Sequence, residues 1–226
     1  MTPRVYPNLT IIAPIWGETY WDKWGEEWLA QMVALDPQPE QWVAIVDRKR
    51  DNLPRHWNQV VKPDVSHATW FNHGVANTTT EWVMACGIDD GMPADALDGL
   101  VLDGDVVVGP LLASDGKVYQ PTAEKYETIL EASWYPMTGW SVYRTEIARK
   151  YPLRGVVWDD WHLWFEYRQN DVNAKFDTKI RQHYRHHADQ VSRASGQIHR
   201  ERIEQMRVWA KEKRIIPGIG FPPELQ

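Results

Sequence analysis

Glu81-Trp-Val-Met-Ala-Cys-Gly-Ile-Asp-Asp-Gly-Met-Pro93 is an apolar run that stops on two acids, a glycine and a proline. A few mostly apolar residues bounded by turn formers predict a buried strand rather than a helix. Asp89 and Asp90 then fall just beyond the strand's C-terminal end, where open α/β sheets place their ligands. Adjacent carboxylates repel, and two readings accommodate them. Either they form a solvated turn that satisfies local backbone N–H groups, or a hard divalent cation sits between them.

Upstream, Leu9-Thr-Ile-Ile-Ala-Pro14 predicts a strand and Ile15–Thr19 a turn. Trp21, Trp24, Trp28, Met32 and Leu35 recur at the spacing of an amphipathic helix over Tyr20–Leu35. Asp36-Pro-Gln-Pro39 ends that helix, and Trp42-Val-Ala-Ile-Val46 is a second strand closing on Asp47 and the basic run Arg48-Lys-Arg50. Strand, helix and strand over this distance make a βαβ unit with parallel strands, so both strand ends face one side. Val65–Asn77, with Asn72-x-Gly74 in its middle, predicts a helix that feeds the Glu81–Gly87 strand.

Downstream, Pro93–Leu102 reads as a short helix with proline at its start, and Asp105–Pro110 as a buried strand. Glu124–Ala132 is a further helix, Ser141–Arg144 a strand and Thr145–Lys150 a helical turn or two. Ala174–His183 reads as one strand, and the Arg185–Arg193 loop follows it. Ser195–Arg214 is a charged helix with a sparse apolar face, and a proline- and glycine-rich tail follows. The chain is thus expected to form one α/β domain over residues 1–192, with a C-terminal helix and tail over 193–226.

At 226 residues the chain can bury a substantial core. A net charge of -6 argues against a general nucleic-acid binder, although the basic clusters leave room for a small anionic ligand. Cys86 is the sole cysteine and lies inside the apolar strand, as a small buried hydrophobe does. No early apolar stretch suits a signal peptide or a membrane span, which predicts a cytoplasmic protein. Fourteen tryptophans are unusual; many must be core, and several are candidates for platforms under a flat ligand or a sugar face.

A second acidic stretch is Val156-Val-Trp-Asp-Asp-Trp-His-Leu-Trp-Phe-Glu-Tyr-Arg168. Asp159 and Asp160 suit the start of a helix, where the macrodipole favours carboxylates. The neighbouring tryptophans would desolvate the pair, which raises a carboxylate's pKa toward the range of a base. The tandem histidines His186 and His187 are either a solvated loop or the completion of a metal site begun at Asp89.

In this order the parts resemble a GT-A fold glycosyltransferase of the family 2 type, from Leu9 to Ser192. The parallel βαβ start, Asp47, the Asn-x-Gly helix, the acidic strand end before Pro93 and Leu97, the Asp159-Asp160 pair and Tyr184-Arg-x-His187…Ser192 carry the resemblance. It implies a Rossmann-like domain with a mostly parallel sheet flanked by helices. It also implies transfer of a sugar from a UDP- or GDP-linked donor to a glycan, protein or small-molecule hydroxyl, assisted by Mn2+ or Mg2+ and inverting. Pro14, Asp47, Asn72, Asp89 and Asp90 would then contact the donor, Asp89 and His187 the metal, and Asp160 would be the base. Trp140, Trp158 and Asp159 would meet the acceptor or sugar, though each tryptophan also suits a core. Gly87 departs from the pattern, since the first acid of the strand-end motif falls there. A catalytically inactive nucleotide- or glycan-binding module and a nucleotidyltransferase are the competing readings. The absence of a glycine-rich phosphate loop argues against a P-loop enzyme or a dinucleotide oxidoreductase.

Overall fold

The computed structural model describes residues 4–15, 17–63, 69–131, 137–153 and 159–187. The helix expected from Ser195, the tail, Trp158 and Ser192 lie outside the described residues.

The chain opens with β1 (Val5–Ile15), α1 (Glu18–Val33) and β2 (Gln38–Val46), followed by β3 (Asn58–Val61), α2 (Thr69–Ala76) and β4 (Trp82–Ala85). Next come β5 (Val106–Gly109), β6 (Leu111–Ala113), β7 (Val118–Tyr119), α3 (Ala123–Glu127) and a short 3-10 turn at Ile129–Glu131. β8 (Trp140–Arg144), α4 (Thr145–Lys150), α5 (Asp159–Gln169), β9 (Ala174–Phe176) and β10 (Gln182–Tyr184) complete the described elements. Seven strands form the main sheet in the order β3-β2-β1-β4-β8-β5-β9. β8 runs against both of its neighbours and the remaining pairs are parallel, as the βαβ reading requires. A smaller sheet has the order β10-β6-β7, with β10 parallel to β6 and β7 antiparallel to it.

Both faces of the main sheet are covered, which is why its central strands read as unbroken apolar runs. Leu9, Ile11, Ala13 and Ile15 of β1 join Trp28 and Met32 of α1 in one core. Ile12, on the opposite face, joins Phe71 and Val75 of α2 in another. A third core gathers Val106 and Val108 of β5 with Tyr126, Leu163, Trp164 and Tyr167.

Two glycines set how closely these layers approach. A Cβ at Gly74 would lie 2.4 Å from Ile12 Cγ2, so the glycine of Asn72-x-Gly74 lets α2 lie directly on β1. At Gly109 a Cβ would lie 2.2 Å from Trp140 Cζ2, because the Trp140 indole lies flat across β5. Asn72 acts as a clamp instead. Its Nδ2 donates to Leu153 O at 2.6 Å and its Oδ1 accepts from Leu153 N at 3.0 Å. One side chain thereby ties the stretch ahead of α5 to α2.

Two expectations need correction. Pro93–Leu102 is a run of turns and not a helix, with i→i−3 bonds such as Ala96 N to Pro93 O and Asp98 N to Asp95 O. The carbonyls a helix would use are taken by distant cations: Arg181 donates to Ala96 O and Asp98 O, and Lys179 Nζ to Asp95 O. Burial of Ala96, Leu97 and Leu100 anchors the segment in their place. Ala174–His183 is likewise not one strand. Asp177 accepts from the backbone N–H groups of Thr178 and Lys179, a local turn that sends β9 to the main sheet and β10 to the small one. Among the described residues no helix is long and apolar enough to cross a membrane.

Gly74→Ala should destabilise the protein by about 1–3 kcal/mol in urea unfolding, because the added methyl meets Ile12 without room to relax. The Asp177 carboxylate pairs with Arg181 at 2.8 Å. Burial pushes its pKa up, but the Lys179 N–H and the Arg181 guanidinium outweigh that and hold it below the ordinary value. Its contribution is therefore present above the unfolded carboxylate pKa and is lost as pH falls through the depressed folded value. Asp177→Asn should cost about 1.5–3 kcal/mol at neutral pH, and the gap to wild type should narrow as pH drops below 3.8.

Candidate functional site

Parallel pairing aligns the C-terminal ends of three neighbouring strands. Ile15 of β1 pairs with Val46 of β2, and Ile12 with Ala85 of β4. Asp47 follows β2 directly, and Asp89 and Asp90 occupy the turn after β4, so all three acids belong to one edge of the sheet. Pro14 is buried at the end of β1 between them, paired with Ile45.

Asp47 is held firmly. Its Oδ1 accepts from Arg48 N and from Arg50 Nη2, both at 3.0 Å. The Arg50 side chain is only 5% exposed, and its guanidinium lies 4.8 Å from the Trp21 ring centroid. Trp21 in turn lies flat on α1 at Gly25, where a Cβ would come 2.6 Å from the indole. Arginine, indole and helix backbone are therefore stacked in sequence behind the acid.

Asp89 Oδ2 and His187 Nε2 meet at 3.1 Å, across 98 residues of chain. The His187 ring is 4.7 Å from that of Trp24 and 5.6 Å from that of Tyr20, so two aromatic residues of α1 fix its plane. Its Nδ1 is buried and has no hydrogen-bond partner among the described residues. Asp90 accepts from Gln182 Nε2 at 3.0 Å and from Arg185 N at 3.4 Å. Burial, and after it the charge of Asp89, push the Asp90 pKa well above the ordinary carboxylate value.

The residues before His187 lace the same region together. Arg185 Nη2 donates to Glu27 of α1 at 3.0 Å, and His186 N donates to Ser114 Oγ at 3.0 Å. A cavity of about 360 Å³ opens beside Asp90, with Glu27, Gln31, Ser114, Tyr184 and Arg185 in its walls.

Asp160 sits in the first turn of α5 and is exposed, so the desolvation expected from the neighbouring tryptophans does not hold for it. Its charge reaches Tyr143 of β8, whose phenol pKa is pushed up to about 12, by burial first and by Asp160 in addition. Asp159 is the first residue of the same helix. Asn72, expected at the donor, spends its carbonyl oxygen and one amide hydrogen on Leu153. Trp140, expected under a sugar, is 1% exposed and donates Nε1–H to Lys179 O, which makes it a core residue.

Asp47 and Asp89 lie just beyond strand ends, as their place after apolar runs predicts, but the groups that brace them and His187 are not announced in the sequence. Trp21 and Trp24 were legible only as a helix face, and Arg50 only as part of a basic run. Gln182 carries no local signal, and Arg185, although part of the Tyr184-Arg-x-His187 stretch, gives no hint of its partner Glu27, because both partners lie far away in sequence.

As a metal site the edge offers a carboxylate and an imidazole already in contact. Among the described residues no group of three or more His, Cys, Asp or Glu is placed to hold an ion. The carboxylate suits a hard divalent cation such as Mn2+ or Mg2+, and with one imidazole beside it the remaining ligand positions would be left to other groups.

No protein-family model and no curated protein matches the sequence. Solved structures do match. Residues 1–349 of S. aureus TarS in complex with UDP-GlcNAc align with a TM-score of 0.61 at 13% identity, over 89% of this chain and 66% of that one. The structure of S. aureus TarS gives 0.58 at 14% identity, covering 89% of this chain and 39% of that one. The mannosyltransferase PcManGT from Pyrobaculum calidifontis, in complex with GDP-Man and Mn2+, gives 0.56 at 14% identity, over 94% and 66%. The chain thus spans no more than 66% of the length of these neighbours. With its seven-stranded sheet, reversed β8 and flanking helices, the chain shares the fold of these neighbours, the GT-A fold.

Proposed function

We propose that the protein is a glycosyltransferase that moves a sugar from a nucleoside-diphosphate sugar to an acceptor hydroxyl. The observation that carries this reading is the Asp89–His187 pair at the end of β4, in a fold whose neighbours were solved with UDP-GlcNAc and GDP-Man. Asp47, fixed by Arg50, would contact the base or ribose of the donor, with Pro14 at the edge of the same pocket. Asp89 and His187 would hold Mn2+ or Mg2+, and Asp90 would shape the turn that carries Asp89. The ion, when bound, supplies positive charge to the departing diphosphate.

Asp160 is the proposed base. In the inverting reaction the acceptor oxygen attacks the anomeric carbon opposite the diphosphate, and the bond from that carbon to the diphosphate oxygen breaks. The proton of the acceptor hydroxyl passes to the Asp160 carboxylate, and the nucleoside diphosphate leaves. The N-terminal turn of α5 favours the ionised carboxylate that this step requires. Asp159 and Trp158 would border the acceptor.

One observation favours a second reading, a binding module without turnover: Gly87 offers no carboxylate at the start of the acidic strand end. Measurement separates the two readings. Thermal melting with UDP, GDP, CDP and dTDP, each with and without Mn2+, should pick out one nucleotide whose stabilisation grows with the metal, about 2.7 kcal/mol at a hundredfold excess over Kd. No shift with any diphosphate would remove both the donor site and the transferase reading. Asp160→Asn should lower sugar-nucleotide turnover by about 10²–10⁴-fold while leaving that melting shift in place. Unchanged turnover would dismiss Asp160 as the base, and wild-type binding without turnover would select the binding module.

A further inference from the structure

We propose that Gly87 is a positioning residue for the Asp89–His187 pair, because its missing side chain leaves the space into which the Asp89 carboxylate folds back. The purpose assigned to this geometry rests on the transferase reading, whereas the geometry itself does not.

A Cβ at Gly87 would lie 2.7 Å from Asp89 Oδ1 and 3.7 Å from Asp90 Oδ2. The first distance is shorter than real side chains tolerate, so any residue with a Cβ obliges Asp89 to move. The backbone itself makes no such demand. Gly17, Gly99, Gly104 and Gly116 have positive φ, and Gly87 is not among them, so room rather than conformational freedom explains the glycine.

Nor can Asp89 move without loss. Its Oδ2 is in contact with His187 Nε2, and the imidazole cannot follow a displaced carboxylate, because its ring is set against Trp24 and Tyr20. The next residue, Asp90, is tethered to Gln182 and Arg185 N. The turn is therefore braced on the side of α1 and β10, and in this arrangement Asp89 Oδ1 folds back over Gly87. A methyl group there would press on Oδ1 and swing Oδ2 off His187.

The Asp90 carboxylate is taken up by Gln182 and Arg185 N, so this strand end offers a cation the Asp89 carboxylate beside one imidazole. Two protein donors hold a bare divalent ion weakly, and a diphosphate has to complete the set. Mn2+ and the nucleoside diphosphate should accordingly bind as a unit.

Mn2+ titrations followed by electron paramagnetic resonance, with the full chain, test this. Beyond the depletion that Mn2+ and nucleotide give without protein, wild type should lower the free Mn2+ signal strongly only when the UDP or GDP selected by thermal melting is present. Gly87→Ala should weaken that Mn2+ binding by about 10-fold or more, the scale seen when a group that orients a metal ligand is altered. Gly87→Ser serves as a second variant of similar size. A stability cycle needs no ligand: the melting-temperature loss caused by Gly87→Ala should largely vanish in a His187→Ala background, where Asp89 is free to turn away. Additive losses in that cycle would overturn the proposal, as would unchanged Mn2+ binding in Gly87→Ala. If wild type binds neither Mn2+ nor a diphosphate, the transferase reading fails, while the stability cycle still decides the role of Gly87.

Discussion

Parallel pairing of β1 with β2 on one side and β4 on the other is the constraint on which the site depends. Parallel strands end on the same edge, so the acid after β2 and the acids after β4 share one rim although about 40 residues separate them in sequence. Parallel strands also need both faces covered, and that requirement brings α1 and α2 onto opposite sides of β1. α1 then does more than cover the sheet. Its first turns carry Tyr20, Trp21 and Trp24, which brace His187 and Arg50, the partners of Asp89 and Asp47.

Among the described residues tryptophan serves in two places. Trp28, Trp42, Trp57, Trp82, Trp140 and Trp164 are buried in the core, where Trp42 stacks on Trp57 at 4.2 Å. Trp21 and Trp24 instead lie behind charged groups at the sheet edge, where a flat apolar surface fixes a guanidinium or an imidazole at little entropic cost. Glycine complements tryptophan in this packing. Trp140 lies across Gly109, Trp21 across Gly25, and Ile12 fills the space left by Gly74.

Local patterns in the sequence were enough to identify β1, α1, β2, β4 and the acidic turn, because each is a continuous apolar run or a helix-period stripe. They also located Asp47 and Asp89 just beyond strand ends, since an apolar run that stops on an acid marks such an end. Long-range competition was not legible. Arg181 and Lys179 take the carbonyls that a helix at Pro93–Leu102 would use, and nothing within that segment announces it. Asn72-x-Gly74 looks like one motif but is two separate devices, a clamp on Leu153 and a gap for Ile12. β6 and β7 are three and two residues long, too short for any periodicity to register.

The edge formed by Asp47, Asp89 and His187 is proposed to receive a sugar diphosphate. A crystal structure of the chain grown with Mn2+ and either UDP-GlcNAc or GDP-Man tests it most directly. The expected result is diphosphate density beyond the end of β4, with a metal bound to Asp89 and His187 and the nucleoside reaching Asp47. A nucleotide bound on any other face of the sheet, with the Asp89–His187 contact undisturbed and no ligand beside it, would contradict the claim.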